Sequence, residues 1–296
     1  FLKLPINYSI VTNIDYEHLD YYKKFINLEN SFIEFINKTP PTGKAIICVD
    51  NRNIRKILKK VKNKNIITYG ESKKANYRIK IKKFKSDCTI FNLNFKDEEK
   101  KNKNIKNINI KLLGKHNVLN AAAAISVCIN LGVNKNIIKK SLKKFSGVQR
   151  RMTKIFSKNH NEFYDDYAHH PTEIRSVLNG VRKVYKNKEI VCIFQPHRIS
   201  RVINLKKEFS KCFKMADTVV LCPIYTANEK LKLKFTYNSF AKLIIKNSKV
   251  RLIQIENEMQ LKKFIKQNTF GNKMYIGMGA GSISNWIKEL PTLMRK

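Results

Sequence analysis

Residues 163–173, FYDDYAHHPTE, determine how the second half of this 296-residue chain folds. The segment FYDD (163–166) ends a short apolar strand pattern, and Pro-Thr-Glu (171–173) is typical of a helix start. The string EIVCIFQPHRISR (189–201) has the same layout, because an apolar strand pattern leads into a His-Arg pair. Charged groups that are costly to desolvate therefore gather where two strands end, which indicates a functional site.

Strand and helix patterns alternate from residue 150 onwards. Strands are predicted at 163–166, 189–195, 217–222, 249–255 and 273–277, and helices at 171–185, 201–214, 236–246, 257–267 and 282–290. This alternation predicts an α/β fold with a Rossmann-like, mostly parallel sheet. Sites in such sheets form beyond the carboxyl ends of the strands. We therefore expect four loops to lie along one edge: DDYAHH (165–170), FQPHR (194–198), CPIYTANE (222–229) and GMGAGS (277–282).

The first half of the chain has a different pattern. Strands are predicted at 44–50, 65–70, 77–84, 89–95 and 107–113, with helices at 114–132 and 135–145. The alternating segments from residue 77 favour antiparallel or edge strands, and the charged run at 97–107 favours a solvated loop. The change of pattern at SGVQRR (146–151) predicts a domain boundary there, with domains 1–148 and 149–296.

The net charge of +38 raises the question of a nucleic-acid partner. Lys, Asn and Ile share AT-rich codons, however, and the lysines are spread along the whole chain, so codon drift explains the charge without a partner. No 18-residue apolar run is present, which argues against a membrane span. The six cysteines lie mostly inside strand or helix patterns without CxxC spacing, and we interpret them as buried free thiols of a cytoplasmic protein.

The arginines are informative because this chain otherwise uses lysine for positive charge. Six of the eleven arginines fall within residues 150–201. A guanidinium offers a fixed fork of donors that suits phosphate or carboxylate. The pairs Arg150/Arg151 and Arg198/Arg201 flank the histidine-rich loops and are candidates for anion contacts, whereas Arg175 and Arg182 fall on a predicted helix and are expected to be solvated.

Two further clusters precede the boundary. VTNIDYEHLDYY (11–22) places Asn13, Glu17, His18 and Asp20 after a short strand, which suggests a metal or phosphate site. GKHNVLNAAAA (114–124) places His116, Asn117 and Asn120 at a helix start. One asparagine could be a structural cap. The alternative is contact with a purine edge, since both amides share one helix face and can donate and accept.

Two glycine motifs are weaker. TGKA (42–45) is not a P-loop, because GxxxxGK[ST] is required and Lys44 is followed by an alanine and a strand. No P-loop occurs anywhere in the 296 residues. GMGAGS (277–282) lacks the spacing of a dinucleotide fingerprint, so we interpret it as a tight turn into the last helix.

The strings TNI…HLD, GKHNVLNAAAA, GVQRR, DDYAHHPTE, FQPHRISR and IYTANE resemble those of Mur ligases, and they follow the order found in that family. The resemblance extends from FLKLP (1–5) to the final helix. It implies that residues 1–148 correspond to the later part of the family's central ATPase domain and residues 149–296 to its C-terminal amino-acid-binding domain. The family's N-terminal UDP-sugar-binding domain and its P-loop are not in this sequence, so the chain alone is expected to be incomplete for activity.

The resemblance also implies a chemistry. Mur ligases use ATP and Mg²⁺ to form an amide bond through an acyl phosphate in peptidoglycan synthesis, and FQPHR favours the branch that joins L-alanine to UDP-N-acetylmuramate. The implied roles are metal binding for His18; nucleotide binding for His116, Asn117, Asn120, Arg151 and Asp166; catalysis for His169, His170, His197 and Arg198; and alanine binding for Tyr167, Arg198 and Arg201. The expected partners are these small molecules and a missing N-terminal segment, with no membrane and no specific nucleic acid. The alternatives are an inactive or split-enzyme remnant and, less favoured, a basic nucleic-acid-binding protein.

Overall fold

The computed structural model describes residues 1–97, 99–229 and 236–294. The chain divides into two compact units, Phe1–Ser146 and Gly147–Lys296. This division lies two residues before the predicted boundary. Within the described residues, each unit contains one six-stranded sheet. None of the described helices combines the length and the hydropathy that a bilayer span requires.

The first unit is an α/β layer structure. Its elements are β1 (Ser9–Val11), α1 (Leu19–Tyr22), α2 (Phe25–Asn37), β2 (Ala45–Cys48), α3 (Arg52–Leu58), β3 (Ile66–Gly70), β4 (Tyr77–Phe84), β5 (Thr89–Lys96), β6 (Asn102–Ile110), α4 (Lys115–Asn130) and α5 (Lys135–Lys144). The strands follow the order β1-β2-β3-β4-β5-β6. Pairing is parallel from β1 to β4 and antiparallel from β4 to β6.

Burial explains the two kinds of strand in this sheet. Every residue of β2 is buried, as expected for a central parallel strand covered on both faces. In β5 buried residues alternate with partly or fully exposed ones, as expected for an antiparallel strand with one solvated face. Helix α4 packs on this sheet with three of its four consecutive alanines buried, since small side chains allow close approach.

The glycine of TGKA has a packing role. A Cβ at Gly43 would lie 1.6 Å from the backbone oxygen of Asn7, so only glycine fits where these two segments cross. The next residues enter β2 directly. The motif therefore serves backbone packing, in agreement with its interpretation as something other than a P-loop.

Strand β6 corrects one sequence expectation. The run 97–107 was predicted as a solvated loop, but the strand begins at Asn102 and pairs with Lys96. The prediction was wrong because β6 lies at the sheet edge, where polar residues are compatible with a strand and only Ile105, Ile108 and Ile110 face the core.

The second unit is the predicted Rossmann-like α/β domain. Its elements are β7 (Thr153–Lys158), β8 (Asn161–Asp166), α6 (Pro171–Val184), β9 (Glu189–Phe194), α7 (Ile199–Asn204), α8 (Lys206–Lys211), β10 (Thr218–Leu221), α9 (Tyr237–Ser248), β11 (Arg251–Gln254), α10 (Glu258–Asn268), β12 (Lys273–Met278) and α11 (Ile283–Met294). The strand order is β11-β10-β9-β12-β8-β7. All pairings are parallel except that of β7 with β8.

The register brings four strand ends to one edge. Met278 at the end of β12 pairs with Asp166 on one side and with Phe194 on the other. Phe194 in turn pairs with Leu221, the last residue of β10. The four loops predicted to meet therefore do leave the sheet side by side.

Three features of this unit differ from expectation. Strand β7 was not predicted; it joins β8 through Asn159 and His160, and both of these residues have positive φ. The helix predicted at 201–214 is broken at Leu205 into α7 and α8. Arg182 is only partly exposed, because its guanidinium donates to carbonyl groups beyond the end of α6, including that of Lys188, and pairs with Asp217.

Side chains alternate across the sheet and create a core on each face. One face collects Phe194 with Phe209 and Phe213 under α6 to α9. The other stacks Phe163 on Tyr275 under α10 and α11. Both cores belong to residues 147–296 alone, so this unit has the means to fold by itself.

We expect the fragment 147–296 to unfold cooperatively in urea and Phe209→Ala to destabilise it by about 3–5 kcal/mol, because removing a fully buried ring leaves a cavity. The matched control is Phe270→Ala. That ring is 62% exposed and lies under Lys273, so its loss should cost about 1 kcal/mol or less. Equal losses in the two variants would contradict the assigned core.

Candidate active site

Asp166 organises the first loop of the strand-end edge in the second unit. One carboxylate oxygen accepts from the backbone N–H of Met152 and the other from that of Ala168, both at 2.8 Å. The side chain is buried. Burial raises the pKa of Asp166 to about 6 even though these hydrogen bonds and the Arg151 charge oppose the rise. The carboxylate therefore ties the 150–152 segment to the loop after β8 and does not itself face solvent.

His170 and Glu173 form the start of α6. The Glu173 carboxylate accepts from the backbone N–H groups of His169 at 3.1 Å and His170 at 3.3 Å. His170 is 5% exposed, and its Nδ1 accepts from the Thr172 N–H, which completes a capping box. His170 thus has a structural role that the sequence analysis did not predict, and a catalytic role for it stays a prediction.

His169 points along the edge and is better placed for chemistry. Its Nδ1 lies 3.0 Å from the Tyr167 carbonyl oxygen and 3.5 Å from a Glu173 carboxylate oxygen. Because two hydrogen-bond acceptors lie beside Nδ1, we assign the ring proton to this nitrogen. Nε2 is then the basic nitrogen of the ring, as a proton acceptor requires.

In His197 the two ring nitrogens have the opposite roles. Arg201 donates from Nη1 to His197 Nδ1 at 3.0 Å and to its carbonyl oxygen at 3.1 Å. Because a guanidinium can only donate, Nδ1 is the acceptor and Nε2 carries the proton. Burial lowers the pKa of His197 to about 4, assisted by the charges of Arg201, His169 and Arg198. This imidazole is therefore neutral at pH 7 and offers an Nε2–H donor.

Four aromatic rings form a row along the edge. The ring centroids of Tyr167 and His169 are 5.1 Å apart, those of His169 and His197 5.8 Å, and those of His197 and Tyr225 5.5 Å. Tyr167 and Tyr225 at the two ends are 36% and 43% exposed. Three of these rings were assigned to the site from the sequence, and the fourth, Tyr225, lies in the loop 222–229 that was predicted to reach the same edge.

Backbone hydrogen bonds hold the FQPHR loop against the loop after β10. Tyr225 donates its N–H to the Pro196 carbonyl and accepts from the Arg198 N–H, each at 2.8 Å. Arg198 has φ 66°, a conformation that non-glycine residues rarely adopt. The turn thus places Arg198 at the start of α7 and Arg201 within it.

The glycine loop closes the other side of this row. Gln195 accepts from the Ile283 N–H and donates to the Ser282 hydroxyl, both at 3.0 Å. A Cβ at Gly281 would lie 2.6 Å from the Tyr225 ring, so this glycine gives Tyr225 room beside His197. Gln195 was missed because its partners lie almost 90 residues away and no local pattern signals them.

The two arginines before β7 have different environments. Arg150 donates to the Gly279 carbonyl at 2.6 Å, lies 3.7 Å from Asp165 and stacks under the Tyr167 ring. Because these contacts within the fold occupy Arg150, the predicted anion contact is better assigned to Arg151. Arg151 is half exposed and lies 3.8 Å from Glu173.

The predicted adenine residues lie in the first unit, at the start of α4. Asn117 donates its side-chain N–H to the Leu113 carbonyl at 2.8 Å, which turns the amide oxygen in the other direction. Asn120, one turn later, is exposed. Contact of these two asparagines with a purine stays a prediction.

His18, the predicted metal residue, lies in the first unit just before α1. It is exposed and has φ 56° at the start of α1. In the part of the chain that the structure describes, no three His, Cys, Asp or Glu side chains group closely enough to hold a metal. Mg²⁺ commonly keeps several waters and takes only one or two protein ligands beside substrate phosphates, so a magnesium role for His18 stays a prediction.

Two family models match most of this chain. Residues 2–128 match the Mur ligase middle domain, and residues 150–268 match the Mur ligase, glutamate ligase domain. The gap between the two matches contains the division between the two units.

Known relatives agree with these matches. The chain is 56% identical over 294 residues to the UDP-N-acetylmuramate–L-alanine ligase of Pelagibacter ubique, covering 99% of this chain and 63% of that protein. It is 34% identical to the ligase of the same name from Rhodopseudomonas palustris, over 98% of this chain and 62% of that protein. The chain thus spans less than two thirds of the length of these relatives.

Solved structures have the same fold. The UDP-N-acetylmuramate-alanine ligase of Thermotoga maritima aligns with a TM-score of 0.73 at 25% identity, over 98% of this chain and 60% of that chain. A murein peptide ligase from Psychrobacter arcticus aligns with a TM-score of 0.65 at 21% identity, over 97% of this chain and 57% of that chain, and supports the fold alone. From the two family matches and the high identity to named ligases, we conclude that the chain belongs to the Mur ligase family.

Proposed function

We propose that this chain forms the nucleotide- and amino-acid-binding part of a UDP-N-acetylmuramate–L-alanine ligase. The reaction would join L-alanine to the muramate carboxylate in peptidoglycan synthesis, with ATP as the energy source. The observation that carries the proposal is the pairing of two neighbouring imidazoles with opposite protonation patterns, His169 and His197, beside Arg198 and Arg201. The 56% identity to a ligase of this name supports the choice of substrates.

The domain assignment follows the family. Residues 1–148 would be the later part of the nucleotide-binding middle domain, with His116, Asn117 and Asn120 around adenine. Residues 149–296 would be the amino-acid-binding domain, in which Arg151 is available to a nucleotide phosphate and Asp166 positions the segment that carries it. A reducing cytoplasm is the compartment that fits both ATP and six unpaired cysteines.

The first chemical step would transfer the γ-phosphoryl group of ATP to the muramate carboxylate, with ADP as the leaving group. The step is needed because a free carboxylate is a poor electrophile. Negative charge is spread over the phosphoryl oxygens, and cations are the usual source of stabilisation. Mg²⁺ would supply this stabilisation, and His18 is the residue of this chain that would lie near it.

In the second step the amine of L-alanine would attack the acyl carbon, and phosphate would leave with the electron pair of the broken C–O bond. The Nε2 of His169 is the group suited to take a proton from the amine. The Nε2–H of neutral His197 is suited to donate to the oxygen that becomes negative at the tetrahedral stage. Arg198 and Arg201 would hold the alanine carboxylate, and Tyr167 would line the pocket.

The proposal is tested by reconstitution. We expect the 296-residue chain, joined to the part of the Pelagibacter ubique relative that it does not match, to release phosphate only when ATP, UDP-N-acetylmuramate and L-alanine are all present. The unjoined chain should not release phosphate, because its 296 residues contain no P-loop. The measurement is phosphate release, with mass spectrometry of the product.

The control for this test is the joined protein with His169→Ala, which should bind nucleotide normally and lose the amide product. A joined protein that is folded, binds ATP and still forms no alanine adduct would refute the proposed function. It would favour an inactive remnant.

In the joined protein, at least one of Arg198→Lys and Arg201→Lys should raise the KM for alanine roughly 10- to 150-fold. A lysine keeps the charge but loses a hydrogen bond of a bidentate guanidinium–carboxylate pair, at about 1.5–3 kcal/mol. The measurement is steady-state kinetics with alanine varied.

Arg175→Lys on α6 is the matched control and should leave the KM for alanine unchanged. Normal alanine kinetics in both test variants would show that FQPHRISR does not bind the alanine carboxylate.

A further inference from the structure

The first turn of α7 needs an external support. It begins at Arg198, whose φ of 66° is unfavourable for a residue with a Cβ. The helix has six residues, Ile199–Asn204, and too few internal hydrogen bonds to impose this start. Contacts from outside the helix must therefore hold the turn.

Glu229, in the loop after β10, supplies such a contact. One of its carboxylate oxygens accepts from the Ser200 backbone N–H at 3.0 Å, and the other accepts from the Ser200 hydroxyl at 2.6 Å. Burial opposes ionisation of Glu229, but hydrogen bonds from Ser200 and the Ile199 backbone, together with the Arg198 charge, outweigh it, so the pKa of Glu229 lies below its usual range. The carboxylate is therefore charged and engaged at neutral pH.

The position of the first turn of α7 determines where Arg201 lies. Arg201 is one residue beyond Ser200 on α7, and its guanidinium contacts both Nδ1 and the carbonyl oxygen of His197. A displacement of the turn by about 1 Å would lengthen a 3.0 Å hydrogen bond beyond its useful range. A continuous set of contacts thus runs from Glu229 through Ser200 and Arg201 to His197.

We infer that Glu229 is a positioning residue, whose carboxylate fixes the first turn of α7 and thereby places Arg201 against His197. Nothing in this inference requires Glu229 to touch a substrate. Its kinetic consequence rests on the proposed function, but its structural consequence does not, and the two are measured separately.

The test is the imidazole titration of His197 in the 296-residue chain, followed by NMR. The charged and titratable groups that face His197 are Arg201, His169, Arg198 and Glu229. If Glu229 acts by position, Glu229→Gln releases Arg201, and the pKa of His197 rises from about 4 by roughly one pH unit or more. If Glu229 acts only as a nearby negative charge, its removal lowers the pKa of His197 further. A fall, or no change, overturns the inference.

Ser200→Ala provides a milder second variant that keeps every charge. It removes the 2.6 Å hydroxyl contact, so a positioning role again predicts a rise in the pKa of His197, whereas an unchanged value counts against the inference. Glu208→Gln on α8 is the control for loss of one negative charge in the same unit, and it should leave the titration unchanged. The NMR spectrum of each variant reports whether the chain is folded.

In the joined enzyme, Glu229→Gln should raise the KM for alanine several-fold, and Glu229→Asp should restore part of the loss. A failure of the joined enzyme to form product would count against the proposed function, while the His197 titration in the chain alone would still decide the role of Glu229.

Discussion

The parallel hydrogen-bond register of the second sheet is the constraint on which the site depends. Because Asp166, Met278, Phe194 and Leu221 stand level with one another, the loops that follow them begin at one edge. A register shift of one residue would turn buried side chains such as Cys192 and Ile276 to the opposite face. The apolar cores on both faces resist such a shift, so the packing that stabilises the domain also aligns its reactive groups.

Burial shifts the pKa values of Asp166 and His197, and both shifts cost stability over part of the pH range. The raised pKa of Asp166 means that its contribution to stability is present below pH 3.8 and is lost as the pH rises through about 6. The lowered pKa of His197 has the opposite sign, so stability is lost as the pH falls from about 6.5 towards 4. Each of these two groups therefore lowers the stability of the folded state over part of the pH range. The backbone hydrogen bonds to Asp166 and the large adjacent cores compensate.

The sequence predicted the parts of this molecule that depend on local pattern. Strands β9 and β12 are continuous apolar runs between helices, and their place in a parallel sheet followed from that alone. Strand β7 was missed because TKIFSK is a weak pattern and its turn contains no glycine. The break at Leu205 was missed because helix periodicity continues across it. Among site residues, the histidines and arginines of the compact motifs were found, whereas Gln195 and Glu229 act through partners that only the tertiary fold brings near. The two clues that the sequence did offer were the His170-x-x-Glu173 spacing of a capping box and the choice of arginine at position 150 in a lysine-rich chain.

Strand β6 has a consequence for solubility. In the sheet as described no further strand pairs with its outer side, and such an edge is where another molecule could add a strand and start aggregation. The strand carries Lys103 and Lys106, both exposed, among asparagines with little β-propensity. Two such edges would bring ammonium groups together and repel each other. The lysine-rich composition, which needs no binding partner to explain it, thus opposes self-association at this edge of the sheet.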